Sequence, residues 1–158
     1  MTGYVLSEDS PDTPEVAALL ERHFALMRAT SPPESCHVMS AGELDDAGAT
    51  LYALREGDTV LGIGALKEIA PGHGEIKSMH TAAEARGRGV ARALVSELLA
   101  AAEALGLTRV SLETGVEDEF TAARALYERF GFETCPPFGD YIQDPLSVFM
   151  TKSLRGLS

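Results

Sequence analysis

A short glycine-containing segment, RGRGVA at residues 86–91, has the residue types and spacing best suited to binding a ligand. It follows a strand-like run at residues 75–81 and leads into an amphipathic helix. Gly87 and Gly89 would let backbone N–H groups approach a ligand closely, and the first N–H groups of a helix have no partner within the helix. Because those groups lie at the positive end of the helix dipole, the segment predicts an anion site that suits a pyrophosphate.

The distribution of charge supports the same site. The chain has 13 Lys and Arg against 24 Asp and Glu, a formal net charge of −11, yet Arg86, Arg88 and Arg92 are close together in sequence. A basic cluster in an acidic protein indicates a local anionic ligand. We expect no nucleic-acid partner, because backbone phosphates ordinarily bind a broad basic face.

Composition restricts the number of domains and the cellular location that we expect for the chain. With 158 residues and 45% hydrophobic residues, the chain is expected to form one domain over residues 1–158. We expect neither secretion nor a membrane partner, since the first residues are not a basic, apolar leader and charges interrupt the most apolar stretch. Cys36 and Cys135 lack metal-ligand spacing, which favours reduced thiols and a cytoplasmic location.

Hydrophobic periodicity predicts the elements that position this segment. Strands are predicted near residues 4–6, 50–55, 59–69, 75–81, 107–114, 132–135 and 147–153. Helices are predicted over about residues 13–30, 90–105 and 119–130, and residues 32–48 are predicted to form a loop with a short helical turn. This order predicts an α/β domain with a mixed, mostly antiparallel sheet of about six or seven strands and helices on both faces.

Two motifs within this order resemble those of the GCN5-related N-acetyltransferase (GNAT) superfamily. Residues 86–91 satisfy its pattern of Arg or Gln, two residues, Gly, one residue, and Gly or Ala. Residues 125–132, ALYERFGF, are similar to its late helix, with a Leu-Tyr pair and a Gly-Phe ending. The resemblance covers about residues 50–154 and includes a cofactor-binding core at about residues 58–132. Residues 111–115, 138–141 and 144–145 are similar to a bacterial subgroup of acetyltransferases.

The resemblance implies that acetyl-coenzyme A (acetyl-CoA) is the co-substrate and that no metal is needed. The strand before the glycine segment is expected to diverge from its neighbour, so that its free backbone groups bind the pantetheine arm. One amide near Met79 or His80 would then polarise the thioester carbonyl. The residues expected to contact acetyl-CoA are Met79, His80, Thr81, Arg86, Gly87, Arg88, Gly89, Val90, Ala91 and Arg92.

Three side chains are candidates for proton transfer, because a protonated amine acceptor must lose a proton before it can attack. Glu75 is the first candidate for the base, since some superfamily members carry a glutamate at this place before the arginine of the motif. Glu113, on the adjacent parallel strand, is the second. Tyr127, a phenol with a reference pKa near about 10, is the candidate acid for the departing sulfur. His80 is a secondary candidate for a proton relay.

Structural roles are weighed beside these catalytic ones. Each carboxylate is explained equally well as a strand-surface acid or a salt-bridge partner. Tyr127 also fits the apolar face of its helix as a packing residue. Phe120 departs from the superfamily pattern, because an asparagine that helps to position the cofactor often stands there.

The acceptor and the assembly stay open. The resemblance implies a primary amine on a small molecule or a peptide, in a monomer or a homodimer. The loop at residues 136–144 is a candidate mouth for the acceptor pocket, with Phe138, Asp140 and Tyr141 as its distinctive side chains.

Two other functions were compared with acetyl transfer. A nicotinamide dinucleotide oxidoreductase fits poorly, because Arg92 stands where the third glycine of its motif belongs and would crowd the helix-strand contact. A non-catalytic module that binds coenzyme A as a sensor, or that mediates assembly, would keep the same cleft. The sequence does not separate this module from an enzyme.

Overall fold

The computed structural model describes residues 4–30, 48–82, 85, 87–116, 120–139 and 141–154. Within them the strands are β1 (Tyr4–Glu8), β2 (Thr50–Glu56), β3 (Thr59–Ala70), β4 (His73–Thr81), β5 (Arg109–Gly115), β6 (Glu133–Cys135) and β7 (Ser147–Ser153). The helices are α1 (Pro14–Thr30), α2 (Val90–Ala104) and α3 (Thr121–Arg129). The predicted loop at residues 32–48 lies almost entirely outside the described residues, as do Cys36, Arg86 and Asp140. In the part of the chain that is described, no helix is both long and apolar enough to cross a membrane.

The described strands form one seven-stranded sheet in the order β1-β2-β3-β4-β5-β7-β6. Only β4 and β5 run parallel, and the other neighbouring strands pair antiparallel. The parallel pair needs a crossover connection, which α2 supplies. The predicted fold class, a mixed and mostly antiparallel sheet in an α/β domain, is confirmed.

Helices cover both faces of the central strand β3. A Cβ atom on Gly62 would lie 3.4 Å from Leu94 of α2, and one on Gly64 would lie 2.7 Å from Leu98, so these glycines let the helix pack closely against the strand. Ile63 and Ala65 point to the opposite face and are also fully buried. Such a run of buried residues is expected only where both faces are covered.

The helix α2 has the amphipathic pattern that was predicted for it. Its buried residues recur every three or four positions and are Val90, Leu94, Val95, Leu98, Leu99 and Ala102. The helix ends before Gly106, which adopts φ +82° as glycine commonly does just beyond a helix. The six buried side chains fix α2 against the sheet and thereby fix where its N-terminus lies.

Candidate functional site

The strands β4 and β5 separate halfway along their length. Their parallel pairing runs from His73 opposite Arg109 to Ile76 opposite Leu112. In the described strands, residues 77–81 of β4 pair only with β3, and the end of β5 pairs only with β7. Residues 77–81 of β4 therefore have no strand partner on the β5 side among the described residues, which is where the resemblance predicts contacts with the pantetheine arm.

An irregularity in β4 lies beside this opening. Ile63 pairs with His80 and Ala65 pairs with Lys77, so two residues of β4, at positions 78 and 79, stand opposite Gly64 alone. Such a bulge turns backbone groups away from the regular ladder. The predicted amide for the thioester carbonyl, near Met79 or His80, lies at this bulge.

The opening connects two faces of the sheet that carry different candidate residues. A Cβ atom on Gly74 would lie 2.6 Å from Leu107, just beyond α2, so Gly74 points to the α2 face and Glu75 to the opposite face. Met79, within the bulge, lies on the α2 face, where its Cγ would be 3.4 Å from a Cβ on Gly64. The Tyr127 hydroxyl donates to Met79 Sδ at 3.9 Å. Glu75 and Tyr127 therefore approach the opening from opposite faces.

Glu75 is buried and is held through one carboxylate oxygen. Its Oε2 accepts hydrogen bonds from Lys77 Nζ at 3.2 Å and from the Tyr141 hydroxyl at 2.6 Å. Lys77 Nζ also donates to the Tyr141 hydroxyl oxygen at 2.8 Å. Among the described residues, no side chain or backbone group is hydrogen-bonded to the other oxygen, Oε1. One oxygen is thus fixed while the other is left to contact a substrate or water.

Glu113 lies on the same face of the sheet as Glu75. The two glutamates are on neighbouring parallel strands, in positions two residues apart in register. Glu113 Oε2 accepts a hydrogen bond from the Ser147 hydroxyl at 2.6 Å. Burial raises the pKa of Tyr141 well above its ordinary value, and the carboxylates of Glu75 and Glu113 raise it further. Tyr141 is therefore a neutral phenol close to both carboxylates.

Two aromatic rings, Phe138 and Phe149, hold Tyr141 in place beside Glu75. Phe138 lies 5.3 Å from Tyr141 and 5.7 Å from Phe149, and Tyr141 lies 5.5 Å from Phe149, measured between ring centroids. Phe149 is buried in β7, whereas the other two rings belong to the segment between β6 and β7. The segment that was predicted to form an acceptor mouth is thus packed onto the sheet next to Glu75.

Tyr127 is almost fully buried in α3. Burial raises the pKa of Tyr127 to about 12, so the phenol keeps its proton at neutral pH. Its ring also packs edge-to-face on Phe132, with the centroids 5.8 Å apart. Both the catalytic and the packing role of Tyr127 are therefore compatible with its position.

The glycine segment before α2 has room for a ligand. Gly87 and Gly89 adopt φ values of +82° and +74°, and a Cβ atom on either would meet no atom within 4 Å. Gly89 directly precedes α2, so the helix N-terminal N–H groups of Val90, Ala91 and Arg92 open onto this exposed turn. The space and the donors fit the pyrophosphate of acetyl-CoA.

Arg88 makes a contact that the sequence did not predict. Its guanidinium donates to Glu56 Oε1 at 2.6 Å, and both side chains are well exposed. Its backbone carbonyl accepts a hydrogen bond from the Tyr4 hydroxyl at 3.0 Å, which ties β1 to the glycine segment. The role of Arg88 as an acetyl-CoA ligand stays a prediction, and so does that of the exposed Arg92.

The comparisons with known proteins agree with this geometry. A model of the acetyltransferase (GNAT) family matches residues 14–132. The chain belongs to the GNAT family. This GNAT protein is 46% identical to a Bacillus subtilis protein named uncharacterized N-acetyltransferase YsnE, over 89% of this chain and 93% of that one. It is 35% identical to the IAA acetyltransferase of Azospirillum brasilense, over 98% of this chain and 100% of that one.

Solved structures share the fold of this GNAT protein. A Klebsiella pneumoniae protein, provisionally named an acyl-CoA N-acyltransferase, has a TM-score of 0.78 and 28% identity, with 98% of this chain and 99% of that one covered. A GNAT acetyltransferase from Elizabethkingia anophelis with acetyl-CoA bound has a TM-score of 0.72 and 17% identity, with 98% and 100% covered. The second likeness concerns the fold alone.

A pair of histidines in this GNAT protein was not found from the sequence. His23 Nδ1 of α1 and His80 Nδ1 of β4 lie 3.3 Å apart, with the rings edge-to-face at 5.3 Å. Burial, with a smaller contribution from His80, lowers the pKa of His23 to about 4. No local pattern could have shown this contact, because the two residues are 57 positions apart.

This buried histidine predicts a pH dependence of stability. The pKa of His23 in the folded chain, about 4, lies below the ordinary value of 6.5. Between pH 6.5 and about pH 4, the unfolded chain therefore binds a proton that the folded chain does not. The free energy of unfolding should fall by up to about 1.4 kcal/mol per pH unit in that range. His23→Leu should flatten this slope in urea titrations at several pH values. Equal slopes for the two proteins would contradict the prediction.

Proposed function

We propose that this protein is an N-acetyltransferase that moves an acetyl group from acetyl-CoA directly to a primary amine of a small molecule or a peptide, within a ternary complex. The observation that carries the proposal is the buried Glu75, held by one oxygen and open at the other, beside the strand opening that leads to Tyr127. Holding both reactants in one site replaces an encounter of two molecules in solution by a reaction within the complex.

The donor would be held by backbone more than by side chains. The N–H groups at the start of α2 and the side of β4 that diverges from β5 are its expected contacts, and acetyl-CoA supplies the acetyl group as an activated thioester. A backbone N–H near Met79 or His80 would stabilise the negative charge that develops on the carbonyl oxygen. The acetyl-CoA bound by the Elizabethkingia neighbour, which shares the fold, supports this choice of donor.

Glu75 would take the proton of the amine through water. Glu75 and Met79 are four positions apart in β4, which is a distance of about 13 Å or less along the strand. A glutamate side chain does not span that distance, so a base at Glu75 requires water between it and an amine that attacks near Met79. Oε1 of Glu75, which accepts no hydrogen bond from the described residues, suits such a relay.

Tyr127 would return a proton to the departing sulfur. Tyr127→Phe should therefore lower turnover about 100-fold. It should hardly change the free energy of unfolding, because the hydroxyl makes only a long contact to Met79 Sδ at 3.9 Å. Steady-state kinetics and urea unfolding of the same preparation check both parts. Normal turnover would reduce Tyr127 to a packing residue.

Ligand binding followed by an amine panel tests the proposal as a whole. Calorimetry with acetyl-CoA, coenzyme A and a nicotinamide dinucleotide should give binding to the first two only. Small amines and peptides are then screened for release of free thiol from acetyl-CoA. Binding without thiol release for any amine would favour the sensor, and binding of the dinucleotide alone would favour an oxidoreductase.

A further inference from the structure

We propose that Tyr141 is a positioning residue for the base, and that its hydroxyl fixes the Glu75 carboxylate and favours its ionised form. This inference rests on the proposed function, because it gives Glu75 the role of base. Tyr141 lies on the segment between β6 and β7, away from the glycine segment and the late helix.

The hydrogen-bond chemistry assigns a direction to each contact. A lysine ammonium has donors only, so Lys77 Nζ must donate to the Tyr141 oxygen at 2.8 Å. The single hydroxyl hydrogen of Tyr141 is then free to point at Glu75 Oε2, 2.6 Å away. A hydroxyl donates a stronger hydrogen bond to an ionised carboxylate than to a neutral carboxyl group. Tyr141 thus favours the form of Glu75 that can accept a proton.

The anchoring of the ring makes this contact specific. Tyr141 packs between Phe138 and Phe149, at 5.3 Å and 5.5 Å between centroids, so its hydroxyl has little freedom to leave the carboxylate. Both donors to Glu75 converge on Oε2. The carboxylate is therefore held in one orientation, with Oε1 on the side away from the tyrosine and the lysine.

Other charged groups face the same carboxylate and are unchanged by a substitution at Tyr141. On the strands and segments around Glu75 they are Lys67 of β3, His73 and Lys77 of β4, and Glu113 of β5. A comparison of the protein with and without the single hydroxyl isolates the contribution of Tyr141 from theirs.

The direct test follows the Glu75 carboxyl by NMR in the whole protein. The protein is labelled with ¹³C at the glutamate side-chain carboxyl, and Glu75→Gln identifies the Glu75 resonance by its loss. In Tyr141→Phe the midpoint of the Glu75 titration should move to higher pH by about one unit, because a charge-assisted hydrogen bond to the carboxylate is lost. Tyr52→Phe, which removes a hydroxyl from β2, is the matched control and should leave the midpoint unchanged. An unchanged midpoint in Tyr141→Phe would overturn the proposal.

A kinetic test separates this inference from the proposed function. With an amine that releases thiol, the low-pH limb of kcat/KM should move upward by about one pH unit in Tyr141→Phe, matching the lost hydrogen bond. A uniform loss at every pH, with the limb in place, would show a structural role only and overturn the inference. If Glu75→Gln keeps full turnover, Glu75 is not the base and the inference about Tyr141 fails with it, whereas the proposed acetyl transfer fails only if no amine releases thiol from acetyl-CoA.

Discussion

Glu75→Gln is expected to reduce turnover by about 100-fold or more, because the amide cannot accept the proton that the acceptor amine must lose. Glutamine has the shape of glutamate, and its carbonyl oxygen is able to accept the hydrogen bonds that Lys77 and Tyr141 now donate to Oε2. The affinity for acetyl-CoA should be unchanged, since the glycine segment that would bind the pyrophosphate is separate from Glu75. Steady-state kinetics and calorimetry with acetyl-CoA check the two halves of this expectation.

Two further variants make the result interpretable. Glu133→Gln changes an exposed glutamate of β6 in the same way and should leave turnover unchanged. Glu113→Gln tests the second candidate, whose carboxylate accepts from Ser147 on the same face as Glu75. A large loss in Glu113→Gln together with normal turnover in Glu75→Gln would transfer the role of base to Glu113.

The elements of the fold were predictable because their signals are local. Alternation in residues 109–115 and the helical period of α2 depend on neighbours within a few positions, and both elements were found close to their predicted bounds. The order of the strands in the sheet does not follow from local sequence signals. β7 pairs with β5 and separates it from β6, an arrangement set by long-range packing that no periodicity encodes.

The features of the candidate site likewise divide into those with a local sequence signal and those set by long-range contacts. Glycines that open a helix indicate an anion site through their own backbone freedom, so Gly87 and Gly89 could be proposed as ligand contacts from the sequence. The hydrogen bond from Tyr141 to Glu75 joins residues 66 positions apart, and the segment that carries Tyr141 has no regular pattern. The ion pair of Arg88 with Glu56 was missed for the same reason, since it joins the turn before α2 to the end of β2.

The two faces of the sheet carry different candidate residues for proton transfer. The α2 face has Met79 and Tyr127, whose phenol keeps its proton at neutral pH because burial raises its pKa to about 12. The opposite face has Glu75 with its lysine and tyrosine partners. The proposed acid and the proposed base thus lie on opposite sides of the sheet, and reactants would meet at the gap between β4 and β5.

Gly89→Ala is expected to weaken acetyl-CoA binding at least about tenfold, which corresponds to about 1.4 kcal/mol or more. Gly89 adopts φ +74° in open space, so alanine strains the backbone without a clash, and its methyl group projects into the space where the pyrophosphate is expected. The strain alone should cost about 1 kcal/mol of stability. Calorimetry with acetyl-CoA and urea unfolding measure the two effects separately.

Gly106→Ala is the matched control at the other end of α2. Gly106 adopts φ +82° and a Cβ atom there also meets no atom within 4 Å, so the backbone strain is closely similar. Both variants should lose about the same stability, about 1 kcal/mol, but only Gly89→Ala should lose affinity for acetyl-CoA. Because the comparison cancels the cost of the left-handed backbone, what remains is the effect of filling the space before α2. Equal affinity in the two variants would mean that acetyl-CoA does not contact this turn, and the assignment of the pyrophosphate site would be wrong.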